Sequence, residues 1–321
     1  MKTFQELLTE FTGYFERQHF PESPAGLYGA ASYMLEIGGK RIRPVLCLMG
    51  NELFSSIQPD AWKIAAGIEL FHNFTLIHDD IMDNAPLRRG KQTVHSRYNA
   101  SSALLAGDVM LVRAYGYFNE TDSRYQRQLI ELLNRTAREV CEGQQLDMDL
   151  EQAGAVSLAA YLRMIELKTA VLLAGSLRMG ALIGGADDSD QKHLYDFGRN
   201  LGLAFQVQDD WLDAFGDPGK FGKQSGGDIL QNKKTFLLVK ALENADPVQS
   251  AEIKRLFSYT GSDKIDRMLA LFRDCGVDKA AEESRQNYQN RAFESLDRVK
   301  ADEPRKRPLK QLAEALLNRE V

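Results

Sequence analysis

The sequence predicts an all-α protein, and two observations support that class. Prolines are absent from the 131 residues between Pro86 and Pro218, which leaves room for long uninterrupted helices. Within that stretch apolar residues recur at spacings of three and four, as at Leu129 and Leu133, which is the period of a helix buried on one face. Alternating β-branched runs are scarce, and no repeat or low-complexity linker divides the chain. We therefore expect a single domain over residues 1–321.

Proline and glycine mark the helix ends in the first third of the chain. Proline fits the first turn of a helix, where its missing N–H is not needed, and glycine fits the position after the last turn. The expected ends in this region are Ser23-Pro24 to Gly38-Gly39, a start at Pro44, and Pro59 to about Asn84, before Pro86.

Longer helices are expected in the middle of the chain, over residues 99–118, 121–150, 157–184 and 188–215. A loop rich in glycine, lysine and aspartate follows from Asp217 to Asn232. The remainder, from Lys233 onward, has the pattern of shorter helices and ends in a basic tail at Arg305 to Pro308.

The composition is that of an ordinary globular protein, with 44% hydrophobic and 26% charged residues. Forty Lys and Arg against 45 Asp and Glu give a net charge of −5, which disfavours nucleic acid and anionic membranes as partners. Taken alone, this balance also argues against polyanionic ligands. The spacing of Cys47, Cys141 and Cys275 resembles neither a zinc site nor a disulfide framework, so we expect reduced thiols and a cytoplasmic protein. A signal peptide and a membrane span are not expected.

The first candidate site is a cluster of carboxylates at the end of an apolar helix. Residues 64–77 include only two titratable side chains, so this part of the helix should be buried. Asp79 and Asp83 follow, four residues apart, and their Cβ atoms should lie about 6 Å apart on one face. Asp80 points about 100° away around the helix axis and is expected to be a flanking group.

The pattern recurs 130 residues later, where an uncharged run is followed by Asp209 and Asp213, which are again four residues apart. A solvated acidic face remains the alternative for either cluster. However, like charges four residues apart destabilise a helix, and carboxylates beside a buried stripe are costly unless a cation neutralises them. Carboxylate oxygens without nearby Cys or His patterns favour a hard ion, and Mg²⁺ fits best because it completes its shell with water and phosphate oxygens. Two such pairs could hold a small Mg²⁺ cluster around a diphosphate.

Basic residues that a diphosphate would need occur near both clusters. Two glycines precede Lys40, Arg41 and Arg43, and a basic loop that contains Arg88 and Arg89 directly follows the first cluster. Glycine permits close backbone approach, and arginine offers forked contacts to phosphate oxygens. Exposed basic turns are the alternative interpretation of both stretches.

Other candidates stand alone in the sequence. Lys168-Thr169 lies inside a long apolar helix, where the lysine either extends to solvent or points into a cavity. Lys223 and Lys233 flank the glycine-rich loop after the second cluster. His72 is two turns before Asp79 and could reach the same cleft, although a satisfied core histidine is the alternative.

Together these residues resemble the trans-isoprenyl diphosphate synthases, the polyprenyl synthase family. The resemblance rests on an ordered set of motifs from about residue 25 to residue 240. In chain order they are Gly38-Gly39-Lys40-Arg41 with Arg43-Pro44, Asp79 to Asp83 with Arg88-Arg89-Gly90, Lys168-Thr169, Gln206 before Asp209 to Asp213, Gly222-Lys223, and Gly226-Gly227-Asp228. The C-terminal third matches only in its helical character.

The resemblance implies a single large helical bundle around a central cavity and, in most members, a homodimer. It implies Mg²⁺-dependent head-to-tail condensation of isopentenyl diphosphate with an allylic diphosphate, with up to three ions bound. The metal ligands would be Asp79, Asp83, Asp209 and Asp213. The allylic diphosphate would be held by Arg88, Lys168, Thr169, Gln206, Lys223 and Lys233, of which Arg88, Lys168, Thr169 and Lys223 are expected to act in catalysis. Isopentenyl diphosphate would be held by Lys40, Arg43, His72 and Arg89.

Product length should depend on side chains upstream of Asp79. Phe71 and Phe74 are three residues apart and nearly stacked on one helix face, and Thr75 lies next to them. An aromatic floor there resembles the short-chain members, with products of 15 or 20 carbons. The hypothesis is that Phe74 stops elongation, while Phe71 either assists or simply packs in the core.

Several other functions remain open on the sequence alone. A longer-chain synthase is the first alternative. A His-Asp phosphohydrolase would need several histidine ligands, and the sequence has five histidines and no second His-Asp pair. A terpene cyclase would lack the second diphosphate site, and a non-catalytic subunit would not need intact aspartate motifs. If the synthase interpretation holds, the inference from net charge is too coarse, because bound Mg²⁺ reverses the local sign where diphosphate binds.

Overall fold

The computed structural model describes residues 1–216 and 226–317. Over these residues the chain is almost entirely helical, which confirms the all-α class, and its strands form one short antiparallel ribbon. In chain order the elements are α1 (Phe4–Phe15), α2 (Ala25–Glu36), α3 (Ile42–Glu52), α4 (Pro59–Met82), β1 (Leu87–Arg88), β2 (Lys91–Gln92), α5 (Val94–Arg97), α6 (Ala100–Asn119), α7 (Ser123–Gln152), α8 (Leu158–Ile165), a π-helical turn (Glu166–Ala170), α9 (Val171–Gly184), α10 (Asp188–Phe215), α11 (Gly227–Leu230), α12 (Phe236–Asn244), α13 (Pro247–Phe257), α14 (Lys264–Asp274), α15 (Val277–Asp297) and α16 (Glu303–Leu317).

The chain divides into two compact units. Unit 1 comprises Met1–Arg135, Gly175–Leu194 and Val299–Leu309. Unit 2 comprises Thr136–Ala174, Tyr195–Arg298 and Lys310–Val321, as far as these ranges are described. The expectation of a single domain over the whole chain stays a prediction.

Helix α4 is the central element of unit 1. Pro59 stands in its first turn, where Asp60 adds a charge that favours a helix N-terminus. Residues 64–71 are buried without interruption, as predicted, and α4 packs most extensively against α6 and next against α3. The helix ends at Met82, two residues before the predicted end, and Asn84 follows with a left-handed φ of 49°. The first aspartate cluster therefore stands at the end of a helix that is buried over much of its length.

Close backbone contact joins α3 and α9 in unit 1. A Cβ atom at Gly180 would lie 1.8 Å from the carbonyl oxygen of Cys47, and one at Gly50 would lie 2.4 Å from the carbonyl oxygen of Leu177. No side chain fits either position, so the two helices are held at a separation that only glycine allows.

The predicted helix over 157–184 is not continuous. It is interrupted by the π-helical turn at Glu166–Ala170, which separates α8 from α9. At this turn α7 approaches so closely that a Cβ atom at Gly143 would lie 2.3 Å from the backbone nitrogen of Lys168. Apolar periodicity did not predict the interruption, because the stretch is apolar enough on both sides of the turn to hide a shift of phase.

Two predicted helix starts are wrong. Pro24 is not the first helical residue but the cap residue of α2, in extended conformation, and α2 makes no side-chain capping bond. Pro44 is the third residue of α3 rather than the first, because the chain already turns into the helix at Arg41, whose φ is 51°.

The basic stretch near the C-terminus is not a tail. It lies inside α16, where Lys306 is buried with its Nζ 3.3 Å from Glu303 Oε1. Arg305 Nη1 donates to the carbonyl oxygen of Leu53 at 3.1 Å. The sequence predicted a tail because the partners of these residues are carbonyl and carboxylate oxygens. The sequence pattern does not show that these oxygens lie nearby.

Among the described residues, one stretch, Leu158–Gly184, is long and apolar enough to cross a membrane by length and composition. Its most apolar window is 78% buried within the protein, as in the core helix of a globular domain.

The α3–α9 contact gives a stability prediction. Gly180→Ala should destabilise the protein by about 3 kcal/mol, because the added methyl group must push backbone aside. Gly13→Ala is the matched control, since a Cβ atom there meets nothing within 4 Å and alanine favours the α1 helix by about 0.5–1 kcal/mol. Urea unfolding of both variants checks the effect. Equal stability of the two variants would contradict the predicted contact.

Candidate active site

The first aspartate pair lies on the last turn of α4. The N–H of Asp83 donates to the carbonyl oxygen of Asp79 at 2.9 Å, so the two residues are one helical turn apart with their carboxylates on the same face. Asp83 is exposed and Asp79 is half-buried. Solvent therefore reaches Asp83 freely and Asp79 in part.

Asp80 has a different environment from its neighbours. It is buried, and both of its oxygens accept from Arg88 Nε at 2.9 Å, while Arg88 Nη2 lies 2.8 Å from Oδ1. The ribbon β1–β2, which turns through a left-handed Gly90, returns Arg88 onto α4. Arg88 Nη2 also lies 3.5 Å from Asp79 Oδ2. The flanking role expected for Asp80 is thus to fix the guanidinium beside the exposed pair.

A cationic group lies beside His72, two turns before Asp79 on α4. Arg43 Nη1 lies 3.1 Å from His72 Nε2, and because arginine can only donate, the imidazole accepts through this atom. Desolvation, reinforced by Arg43 and Arg89, lowers the pKa of His72 well below its usual value. The ring is therefore neutral, which fits its acceptor role.

Arg89 completes this group. Its guanidinium packs on the backbone of Gly39, where a Cβ atom would lie 2.8 Å from Nη1. Desolvation and the neighbouring Arg88 lower the pKa of Arg89, and desolvation lowers that of Arg43 to about 10. Both remain cationic near neutral pH. The structure brings Arg43, His72 and Arg89 together, and Lys40 is exposed on the adjoining loop.

The second aspartate pair lies on α10 in unit 2. Asp209 is exposed, whereas Asp213 is half-buried and its Oδ2 accepts the N–H of Asp228 at 2.9 Å. The carbonyl of Asp213 also accepts the N–H of Gly226 at 2.7 Å. Asp213 thus anchors the start of α11 in addition to its predicted role.

Asp210, between these two residues, is the centre of a buried network. It accepts from Tyr161 Oη at 2.5 Å, from the backbone N–H of Phe236 at 2.8 Å and from Gln206 Nε2 at 3.1 Å. Burial raises the pKa of Asp210 to about 7 although all three donors lower it. Gln206 Oε1 in turn accepts from Thr169 Oγ1 at 3.4 Å, so two predicted substrate ligands are tied to one buried carboxyl group.

Lys168 points from the π-helical turn toward α7. Its Nζ lies 2.6 Å from Asp147 Oδ2. Sequence reasoning missed Asp147, because it belongs to an acidic helix end with Asp149 and Glu151 that reads as a solvated face.

The predicted site includes two further lysines, Lys223 and Lys233. Lys223 lies outside the described residues. Lys233 is exposed with its Nζ 3.7 Å from Asp228 Oδ1. Its neighbour Lys234 places Nζ 5.1 Å from the centre of the Phe257 ring.

The aromatic pair predicted to set product length is well defined. The rings of Phe71 and Phe74 are 5.6 Å apart and tilted by 56°, and Phe74 meets His78 edge-on at 4.8 Å. Phe71 is fully buried, whereas Phe74 keeps 9% of its surface exposed. The hydroxyl of Thr75 is bonded to the carbonyl of His72 on its own helix.

The donor set suits a hard cation. The two aspartate pairs offer only carboxylate oxygens, and His78 is directed elsewhere, with Nε2 3.1 Å from the carbonyl oxygen of Leu104. Across residues 1–216 and 226–317, no three His, Cys, Asp or Glu side chains form a metal-binding group by themselves. The oxygen donors and their exposure fit Mg²⁺, which keeps water and ligand oxygens in its shell.

Known proteins resemble this chain over most of its length. The polyprenyl synthetase family model matches residues 24–274. The geranylgeranyl pyrophosphate synthase of Geoglobus acetivorans is 36% identical over 301 residues, 93% of this chain and 92% of that protein. The geranylfarnesyl diphosphate synthase of Natronomonas pharaonis is 35% identical over 317 residues, 93% and 91% of the two chains. A crystal structure of a geranylgeranyl pyrophosphate synthase matches with a TM-score of 0.94 and 42% identity over 100% of both chains.

The family match covers most of the chain, and these relatives align over nearly their whole length. The chain belongs to the polyprenyl synthetase family.

Proposed function

We propose that this protein condenses isopentenyl diphosphate head-to-tail with an allylic diphosphate and releases diphosphate. The observation that carries the proposal is the arrangement along α4. His72, with Arg43 and Arg89, forms one anion-binding group, and the Asp79–Asp83 pair stands seven residues further, about 10 Å along the helix. Helix α4 thereby lies beside a cationic group that would bind one diphosphate and carries a pair of carboxylates that would hold the metal ions of the other diphosphate.

Asp79, Asp83, Asp209 and Asp213 would hold Mg²⁺, as a cluster of up to three ions. When bound, Mg²⁺ neutralises the diphosphate and stabilises it as a leaving group. The residues of this chain then position the reactants. The set proposed to bind the allylic diphosphate is Arg88, Lys168, Thr169, Gln206, Lys223 and Lys233. The set proposed for isopentenyl diphosphate is Lys40, Arg43, His72 and Arg89.

The reaction follows from this placement. Cations around the allylic diphosphate stabilise its departure, which leaves an allylic carbocation. The double bond of isopentenyl diphosphate attacks the cation, a carbon–carbon bond forms, and a proton is lost to the departed diphosphate, which is anionic and adjacent. Exclusion of water protects the cation from hydrolysis.

The reaction is tested with the purified chain, Mg²⁺, isopentenyl diphosphate and each of the C5, C10 and C15 allylic diphosphates. We expect longer prenyl diphosphates and stoichiometric diphosphate, both abolished by chelation. Asp79→Asn should lower kcat/KM by about 100-fold or more, because one of the carboxylates that would hold Mg²⁺ beside the leaving group is lost. Asp149→Asn, on the exposed end of α7, is the control. Release of inorganic phosphate without carbon–carbon bond formation would contradict the proposal.

We further propose a short-chain product of 20 carbons. The relatives include enzymes named for 20-carbon and 25-carbon products, and Phe74 stands where an elongating chain beside α4 would end. Its ring is wedged between Phe71 and His78, so it cannot swing aside without disturbing the α4–α6 contact, where Gly107 packs on His78.

Phe74→Ala should lengthen the product by one or more five-carbon units, because removal of the ring opens space at that depth. Chromatography of the hydrolysed products measures the length. Phe71→Ala is the comparison, and because Phe71 is fully buried it should mainly destabilise the fold, by about 3–5 kcal/mol. An unchanged product length in the Phe74→Ala variant would refute the proposal that Phe74 stops elongation.

A homodimer is proposed on the basis of α6. One face of this helix leaves Leu104, Leu105 and Val112 exposed by 50%, 55% and 69%. Large apolar side chains on one face of an otherwise packed helix mark an interaction surface. A two-fold contact places the same stripe on both copies, so a second copy of this chain is a matching partner.

Leu105→Glu combined with Val112→Glu should weaken self-association at least 10-fold, because charges would be buried without partners. Sedimentation velocity over a concentration series measures the change. Val248→Glu is the control, since Val248 is 78% exposed but belongs to α13 rather than α6. A wild-type chain that stays monomeric at micromolar concentration would end this proposal.

A cytoplasmic location is also proposed, supported by free thiols at Cys47, Cys141 and Cys275.

A further inference from the structure

The turn that carries the cationic group has a strained residue at its centre. Arg41 has a φ of 51°, in the left-handed region, and caps α3 without a side-chain capping bond. A residue with a β-carbon is disfavoured there, so other contacts must hold this conformation. Lys40 precedes Arg41, and Arg43 lies two residues beyond it. The conformation of Arg41 therefore decides where both of these side chains are directed.

The contacts that hold Arg41 come from its own guanidinium. Nη1 forms an ion pair with Glu69 Oε1, and Nη2 donates to the carbonyl oxygen of Leu35 at 3.3 Å. The guanidinium carbon also lies 5.2 Å from the centre of the Phe15 ring. The side chain is thus anchored by contacts within unit 1.

Glu69 is an unusual residue for its position on α4. It is 3% exposed, within the buried stretch of the helix. Oε1 accepts a second bond from Asn73 Nδ2 at 3.0 Å, and Asn73 Nδ2 also donates to the carbonyl of Glu69 at 2.7 Å. Oε2 is buried without a hydrogen-bond partner. A buried carboxylate is costly, and its charge is matched here by Arg41.

The ion pair is one of two attachments between α4 and the turn. Glu69 holds Arg41, and His72, three residues further along the same helix, accepts from Arg43. The negative charge of Glu69 also opposes the desolvation that lowers the pKa of Arg43 and of Arg89. Both effects keep the cationic group assembled before any anion arrives.

We propose that Glu69 and Arg41 are positioning residues for isopentenyl diphosphate: their buried ion pair fixes the turn that presents Lys40 and Arg43. This inference rests on the proposed function for the identity of the ligand. Neither residue touches the substrate. Their effect is to remove the cost of ordering the turn when the diphosphate binds.

The proposal is tested by separating the two substrates. Arg41→Gly removes the guanidinium and relieves the left-handed backbone, and the double variant Arg41→Met with Glu69→Leu replaces the whole ion pair by apolar groups, which keeps buried charge balanced. We expect KM for isopentenyl diphosphate to rise about 10-fold or more in both, because the turn is no longer fixed. KM for the allylic diphosphate and kcat at saturation should stay within about threefold of wild type.

Two further measurements distinguish positioning from simple structural support. Glu69→Gln keeps the shape and an acceptor, so it should give a smaller rise than the double variant. Glu36→Gln, on the exposed end of α2, is the matched control and should leave both KM values unchanged. Thermal melting of every variant reports folding separately. A lower melting temperature with unchanged KM for isopentenyl diphosphate, or an equal rise in both KM values, would overturn the proposal.

Direct calorimetric titration with isopentenyl diphosphate separates this inference from the proposed reaction. If the wild-type chain binds this ligand but does not condense it, the proposed function fails, and the affinity ratio between wild type and the double variant still tests the ion pair. A ratio of about 10 or more supports the positioning role. A ratio near one, or no binding by the wild type, refutes it.

Discussion

Charge inside a helical protein is tolerated only where opposite charge or a hydrogen-bond donor meets it, and this constraint organises the site. Helix α4 is buried along most of its length, yet it carries Glu69, His72 and Asp80 on buried or half-buried positions. Each has a dedicated arginine: Arg41, Arg43 and Arg88 respectively. Arg41 and Arg88 pair with buried carboxylates and Arg43 donates to the neutral His72, so the packing of α4 in unit 1 also places the cationic group.

Unit 2 meets the constraint with neutral donors. Asp210 is surrounded by a tyrosine hydroxyl, a glutamine amide and a backbone N–H, and Lys168 is paired with Asp147. In both aspartate motifs the middle aspartate is the buried one, while the first is open to solvent at least in part. In each motif the middle aspartate therefore supports the structure, while the carboxylate of the first aspartate is at least partly exposed to solvent.

The sequence was sufficient for the fold class, the family and most helix bounds, because these depend on periodicity, proline placement and an ordered set of motifs. The all-α class and the membership in the prenyl-transferring family are confirmed. It was insufficient for Asp147, Glu69 and the bond from Asp228 to Asp213, because such pairings depend on which helices meet in three dimensions. The substrate roles of the site residues stay predictions, and Lys223 lies outside the described residues.

The π-helical turn has a consequence for the direction of side chains. Tyr161 and Lys168 are seven residues apart, and in a regular α-helix residues at that interval point almost the same way. Here Tyr161 reaches Asp210 on α10, whereas Lys168 reaches Asp147 on α7. The wider turn inserts an extra residue and so shifts the phase of the helix. The segment from α8 to α9 can therefore contact two neighbouring helices on different sides. Loss of one residue from 166–170 would remove this shift, and the side chains of α9 would then point in different directions relative to those of α8.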